Sequence, residues 1–275
     1  MGREAMHRDC TQIRTIEDFE AYYKEAVADR LQIERKMIEE NRTNPSWTIE
    51  GSCEWCQEKS SFSMDWQSSN GGEPNFRERM ICPHCGLNSR QRFVASYLRH
   101  TLQERKEPPE GIYLYEQVTP FYRQIQGRLG LIRVTGSEYL GFDKKPGETI
   151  EGIRHEDALN LSFEDRSFDV VVSNDVYEHV PDIQRTFHEA ARVLRGGGKL
   201  LFSIPFYPNE RKTRQRASIE RGEIVSSLPE QFHGNPLSGK GSLVFYEFGW
   251  DLLDFCKEAG FKDACMIAYY SLSHG

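Results

Sequence analysis

No stretch of the 275-residue chain approaches the roughly 20 consecutive apolar residues that span a bilayer, so no transmembrane helix is expected. The opening residues, MGREAMHRDC, lack the apolar core of an export signal. Residue 6 is Met, where N-myristoylation wants Ser or Thr. These absences predict a cytoplasmic protein with no membrane partner. Positive charge is also short: 35 Lys and Arg stand against 42 Asp and Glu, a net charge of -7, which argues against a broad nucleic-acid footprint. There is no internal repeat and no low-complexity tract. An even cysteine count is missing as well. Of 7 cysteines, four fall in two CxxC pairs, and Cys10, Cys256 and Cys265 are left over. That pattern argues against a disulfide framework and for a metal site.

What is present divides into three regions. Residues 1–45 carry a helical segment over about 15–42, with Thr15 as its cap and Asn44-Pro45 as its stop. Residues 46–107 hold a Ser-, Gly-, Trp- and Cys-rich stretch without sustained period, a turn at Ser68-Ser69-Asn70-Gly71-Gly72, and a helix over 87–105. From 108 to 275 strands and helices alternate. Expected strands lie at 112–116, 139–142 (ending at Asp143), 152–155, 168–173 and 199–204, with a final strand pair in 261–270. Helices are expected after Thr119-Pro120, over 181–195 and over 250–259. Such alternation predicts a doubly wound α/β domain with a mostly parallel sheet. A long insertion occupies about 206–247.

Cys53-Glu-Trp-Cys56 and Cys82-Pro-His-Cys85 are separated by 25 residues. Each pair lets two thiolates meet one ion from a tight turn, and two turns complete a tetrahedral shell. Gly86 relieves backbone crowding after the second pair. A redox CxxC is the competing reading, but neither pair opens a helix after a buried strand. The expected ion is one structural zinc, held by Cys53, Cys56, Cys82 and Cys85.

Between Glu156 and Pro205 the chain reads Asp157-Ala158-Leu159-Asn160-Leu161-Ser162-Phe163, then Ser167-Phe168-Asp169-Val170-Val171-Val172-Ser173-Asn174-Asp175-Val176-Tyr177-Glu178-His179-Val180, then Arg192-Val193-Leu194-Arg195-Gly196-Gly197-Gly198. This ordered set resembles the class I methyltransferases, and within them the methyltransferase-11 group, over about residues 111–205. The resemblance implies a Rossmann-like sheet of seven strands and S-adenosylmethionine as cofactor, with S-adenosylhomocysteine as product. It implies that Asp143 accepts from the ribose hydroxyls and that Asp157, with the backbone of Ala158, meets the adenine. Asn174, Asp175 and Val176 would line the methionine end. The first loop departs from the family pattern. Tyr115-Glu116-Gln117-Val118-Thr119-Pro120 keeps an acid as Glu116 but has no glycine. The helix start at Thr119 could offer N–H groups to the methionine carboxylate instead. Relatives with a zinc knuckle and a Gly-poor first loop exist in this group, and the chain resembles them.

For the acceptor, His179 and His233 are candidate bases, each with a packing role as its alternative. Arg211, Lys212, Arg214, Arg216 and Arg221 form either a solvated face or a clamp on an anionic acceptor such as a phosphate, a nucleotide-linked sugar or a carboxylate. The expected activity is O-methylation of a small or sugar-type molecule. Methylation of an RNA or protein docked by the zinc module, and a non-catalytic protein of the same fold, are the alternatives.

Overall fold

The structure, a computed structural model, describes residues 10–69 and 71–275. The extreme N-terminus, where an export or lipidation signal was sought, and Asn70 of the expected turn lie outside the described residues. The chain forms two units, one running up to Glu104 and including Cys265–Gly275, the other Arg105–Ala264. No helix among the described residues is long and apolar enough to cross a membrane.

In the first unit, β1 (Cys10–Ile13) leads into α1 (Ile16–Tyr22), where the Thr15 side chain accepts from the Asp18 amide at 3.1 Å. A π-helical turn, Tyr23–Val27, joins α1 to α2 (Ala28–Asn41). The stretch read as aperiodic contains a hairpin, β2 (Ser46–Cys53) with β3 (Glu58–Asp65), antiparallel in register from Ser46 opposite Asp65 to Cys53 opposite Glu58. The signal was a period of two in β3, where Ser60, Phe62 and Met64 are buried and Lys59, Ser61 and Ser63 are exposed. Ser63 and Ile81 then exchange backbone hydrogen bonds at 2.9 Å, which brings the second cysteine pair beside β3. α3 (Ser89–Gln103) follows, capped by a reciprocal box between Asn88 and Gln91. Met266–Tyr269 pairs antiparallel with β1, so only one strand arises where a terminal pair within the α/β domain was expected.

The second unit is built on a parallel sheet. β4 (Gly111–Leu114), α4 (Pro120–Arg128), β5 (Arg133–Gly136), the short hairpin β6 (Thr149–Ile150) and β7 (Ile153–Arg154), β8 (Phe168–Asn174), α5 (Ile183–Val193) and β9 (Leu194–Ser203) follow in order. The sheet order is β5-β4-β8-β9, all parallel. It has four strands among the described residues, against the seven the resemblance implies. Ile112 to Leu114 and Val170 to Val172 are fully buried, as expected for central parallel strands covered on both faces. Asp169, 2% exposed, holds the sheet's lower end: it accepts from the Glu110 amide at 2.6 Å and pairs with Arg105 at 2.6 Å.

The second strand is displaced from its expected place. It is Arg133–Gly136, not Tyr139–Phe142, where Tyr139 is 55% and Phe142 95% exposed. β5 is an edge strand with a single neighbour, so a half-polar sequence suffices there. Gly136 is required by close approach, because a Cβ would meet the Glu116 carbonyl oxygen at 2.6 Å.

After β9 the insertion forms antiparallel pairs. β10 (Arg214–Gln215) joins β15 (Tyr246–Glu247), β11 (Ala217–Glu220) joins β12 (Glu223–Ser226), and β13 (Phe232–Asn235) joins β14 (Ser238–Leu243). α6 (Leu252–Glu258) closes the unit.

Candidate functional site

The two CxxC turns converge. One sulfur from each of Cys53, Cys56, Cys82 and Cys85 lies within 4.8 Å of the others, and all four residues are buried. Cys56 Sγ and Cys82 Sγ are 3.9 Å apart. Two sulfurs bound at about 2.3 Å to one tetrahedral ion lie roughly 3.8 Å apart, so the spacing fits that ion. The two turns share a backbone. Gln57 N donates to Cys53 O at 2.7 Å and Gly86 N to Cys82 O at 2.9 Å, with φ of 61° and 71° respectively. A hydrogen bond from Cys85 pulls the Cys53 thiol down to about 5, whereas burial pushes Cys56 up to about 12. α3 clamps the first turn, as Arg99 donates to Trp55 O at 3.1 Å and Glu54 O at 2.5 Å.

Gln57 occupies a left-handed position that Gly86 fills without strain in the second turn. Left-handed backbone costs a residue with a Cβ about 1–2 kcal/mol, and glycine's extra unfolded-state freedom offsets roughly 0.4–1 of that. Gln57→Gly is thus expected to stabilise the protein by about 0.5–1 kcal/mol. Urea unfolding with zinc present reads it, and an unchanged or lower midpoint counts against the reading.

In the second unit the strand order reverses between β4 and β8, because β4 leads to β5 on one side and the chain then returns to β8 on the other. Such a switch point, at the carboxyl ends of the strands, is where open α/β sheets bind ligands. Glu116, just past β4, stands there at 7% exposure. Its Oε1 accepts from Asn174 Nδ2 at 2.6 Å, and its Oε2 accepts from the Thr119 hydroxyl. Asp175 adopts a strained φ of 51°. The hydroxyl of Ser203, at the end of β9, donates to the side chains of Asn174 and Asp175 at 3.3 Å each. Val176 begins the 3₁₀ turn Tyr177–His179.

The Gly-poor loop is held by a residue that sequence reasoning missed. Glu138, two residues past β5 and 8% exposed, accepts from the Gln117 amide at 2.7 Å and the Val118 amide at 2.9 Å through Oε1. Burial raises its carboxyl above the ordinary range, against the pull of those two amides. The Gln117 side chain ties the loop to β7, donating to Gly152 O at 3.0 Å and accepting from the Arg154 amide at 2.8 Å. Gln117 and Val118 amides are therefore already engaged. Asp143, expected at the end of the second strand, lies instead on an exposed turn, paired with Lys144 at 2.8 Å. The acid that follows the second strand is Glu138. The signal was Val134-Thr135-Gly136-Ser137-Glu138, a short β-branched run ending in glycine and an acid. Asp157 accepts from the Leu159 amide at 2.9 Å in a side-chain turn beside Ala158.

The insertion packs against the segment after β8. Phe245 N donates to Glu178 O at 2.7 Å, and the Tyr246 hydroxyl donates to Pro181 O at 2.8 Å. His179 and His233 are brought together, with ring centroids 5.2 Å apart, and Glu178 stands between them. Much of the basic run is engaged locally. Arg214 pairs with Glu247 at 2.8 Å, Arg216 with the same carboxylate, and Lys212 with Asp251 at 3.8 Å.

Comparison with known proteins bears on this unit. Residues 135–202 match the profile of the methyltransferase domain family. Over 48 residues the chain is 44% identical to phosphoethanolamine N-methyltransferase 2 of Caenorhabditis elegans, covering 18% of this chain and 11% of that protein. Over 51 residues it is 39% identical to sarcosine/dimethylglycine N-methyltransferase of Halorhodospira halochloris, 18% of each chain. The chain thus spans less than a fifth of the length of these curated relatives. A solved S-adenosylmethionine-dependent methyltransferase from Mesorhizobium loti is 18% identical, with a TM-score of 0.37 over 61% of this chain and 81% of that one. The matched stretch, residues 135–202, contains Glu138, Asp157, Asn174 and His179.

Proposed function

We propose that the protein is an S-adenosylmethionine-dependent methyltransferase acting on a small molecule, with a structural zinc in its four-cysteine module. The observation that carries the first part is the pair of buried acids at neighbouring strand ends: Glu116, past β4, accepts from Asn174 across the switch point, and Glu138, past β5, accepts from the Gln117 amide. Glu138, rather than Asp143, takes the ribose hydroxyls. Its Oε1 is engaged by the loop, while among the described residues Oε2 accepts nothing from the protein. Asp157 and Ala158 take the adenine edge, and Asn174, Asp175 and Val176 take the methionine end. Four thiolates close the zinc shell, so this ion has no position for substrate.

Methyl transfer from a sulfonium is an in-line displacement that asks for alignment and exclusion of water. A hydroxyl or ammonium acceptor must also lose a proton, and His179 and His233 are the candidate groups on the acceptor side. The named relatives are N-methyltransferases, but they match over about 50 residues. That stretch supports the cofactor half and leaves amine and hydroxyl acceptors equally open. Packing of 206–247 against the segment after β8 supports a roof over the acceptor. Arg214 and Arg216 pair with Glu247 and Lys212 with Asp251, which weighs against the anionic-clamp reading.

Titration calorimetry with S-adenosylmethionine and S-adenosylhomocysteine tests the proposal, and saturable one-to-one binding of both is expected. A non-catalytic fold is the second reading, favoured by the engaged Gln117 and Val118 amides; absence of binding would establish it against ours.

A further inference from the structure

The 3₁₀ turn after β8 and the β13 strand bring three metal-ligating side chains to one point. Glu178 is fully buried, and its Oε1 stands 3.6 Å from Nε2 of His179 and 3.4 Å from Nδ1 of His233. All three ligand atoms lie within 4.8 Å of one another. His179 is already oriented. Its Nδ1 is 2.7 Å from the Leu243 carbonyl oxygen, which can only accept, so Nδ1 carries a hydrogen and the neutral ring presents its lone pair at Nε2. That lone pair faces a buried carboxylate, which is repulsive unless positive charge lies between them. The second oxygen of Glu178, Oε2, is buried without a hydrogen-bond partner, a further unmet demand for charge.

We propose that Glu178 Oε1, His179 Nε2 and His233 Nδ1 bind one divalent transition-metal ion of the zinc class. Bonds of about 2.0–2.2 Å, meeting at tetrahedral to octahedral angles, set neighbouring ligand atoms roughly 2.8–3.6 Å apart. Both separations from Glu178 Oε1 fall in that window. Two imidazoles with one carboxylate favour zinc and its transition-metal neighbours over calcium or magnesium. The outer partners have the usual form, in which each ligating ring is steadied through its other nitrogen. Leu243 O does this for His179. Gln231 lies 3.2 Å from His233 Nε2, and its amide, turned end for end, accepts from that nitrogen. The ion would fasten the β13–β14 hairpin to the end of β8. Three protein ligands leave a position for water or for an oxygen or nitrogen of the acceptor. Only that last assignment rests on the methyltransferase reading.

The test uses the full chain with its cysteine-bound zinc retained, after mild chelation that removes labile metal. Calorimetric titration with Zn²⁺ is expected to add one equivalent. His179→Ala and His233→Ala are each expected to weaken that equivalent by more than the ~10–100-fold that loss of an outer partner costs, leaving the cysteine-bound zinc unchanged. The His233 side chain is 29% exposed on a hairpin, so His233→Ala is expected to fold and to melt as cooperatively as wild type. No added equivalent in wild type, or wild-type affinity in His233→Ala, overturns the site. S-adenosylhomocysteine titration runs alongside. Failure of that binding counts against the methyltransferase reading and leaves the metal result standing.

Discussion

Glu138→Ala is expected to abolish measurable S-adenosylhomocysteine binding, while Asp143→Ala leaves it within about twofold of wild type. The contrast follows from position. Glu138 is buried at the end of an inner loop and holds the Gln117 and Val118 amides. Asp143 lies on an exposed turn, where Lys144 is its ion-pair partner among the described residues. Hydrogen bonds to a charged group contribute about 1.5–3 kcal/mol each. Losing two of them frees the loop after β4, and the proposed ribose contact goes with it. A combined loss of about 4 kcal/mol is roughly a thousandfold in affinity. Calorimetry on both variants reads the difference, with Glu138→Gln as a control that keeps shape and one acceptor. Equal binding by Glu138→Ala and wild type would return the ribose to another acid and remove Glu138 from the site.

Cys82→Ser is expected to release the cysteine-bound zinc on dialysis and to lower the melting temperature by on the order of 10 °C or more. Structural zinc contributes ~10–16 kcal/mol of apparent binding energy in small finger peptides, and each kcal/mol is worth about 2–4 °C in a domain of 150–250 residues. The effect is large because the proposed ion would join two turns that, among the described residues, the backbone brings together through β2, β3 and the Ser63–Ile81 bridge. Cys265→Ser, outside the cluster, is the matched control and is expected to keep its zinc. Elemental analysis with thermal melts decides it. Full zinc content in Cys82→Ser would reduce the cluster to four packed thiols.

Several features were legible in the residues alone. The cysteine pairs could be read because each closes over two intervening residues, a distance at which the backbone dictates geometry. The Phe168–Asn174 strand announced itself by a continuous apolar run, and the Thr119-Pro120 start of α4 by its cap. The hairpin of β2 and β3 was equally available, since Phe62 and Met64 alternate with serines, but the Ser-rich composition obscured it. The edge strand β5 was not legible. With one neighbour to satisfy, Arg133–Gly136 carries little apolar signal, and the more apolar Tyr139–Phe142 drew the assignment away.

By itself, then, the sequence determined the cysteine knuckles, the central parallel strands, the Asp157-to-Gly198 motif set and two candidate histidines, His179 and His233. Each is a local property, set by spacing along a few residues. Tertiary structure alone decided which acid follows the second strand, how a loop without glycine is held, and that Glu178 stands between His179 and His233. Those pairings join residues 21 and 55 positions apart. Chain separation of that size leaves no periodic trace, and the partners are chosen by sheet order and by the packing of the insertion, which only the folded chain supplies.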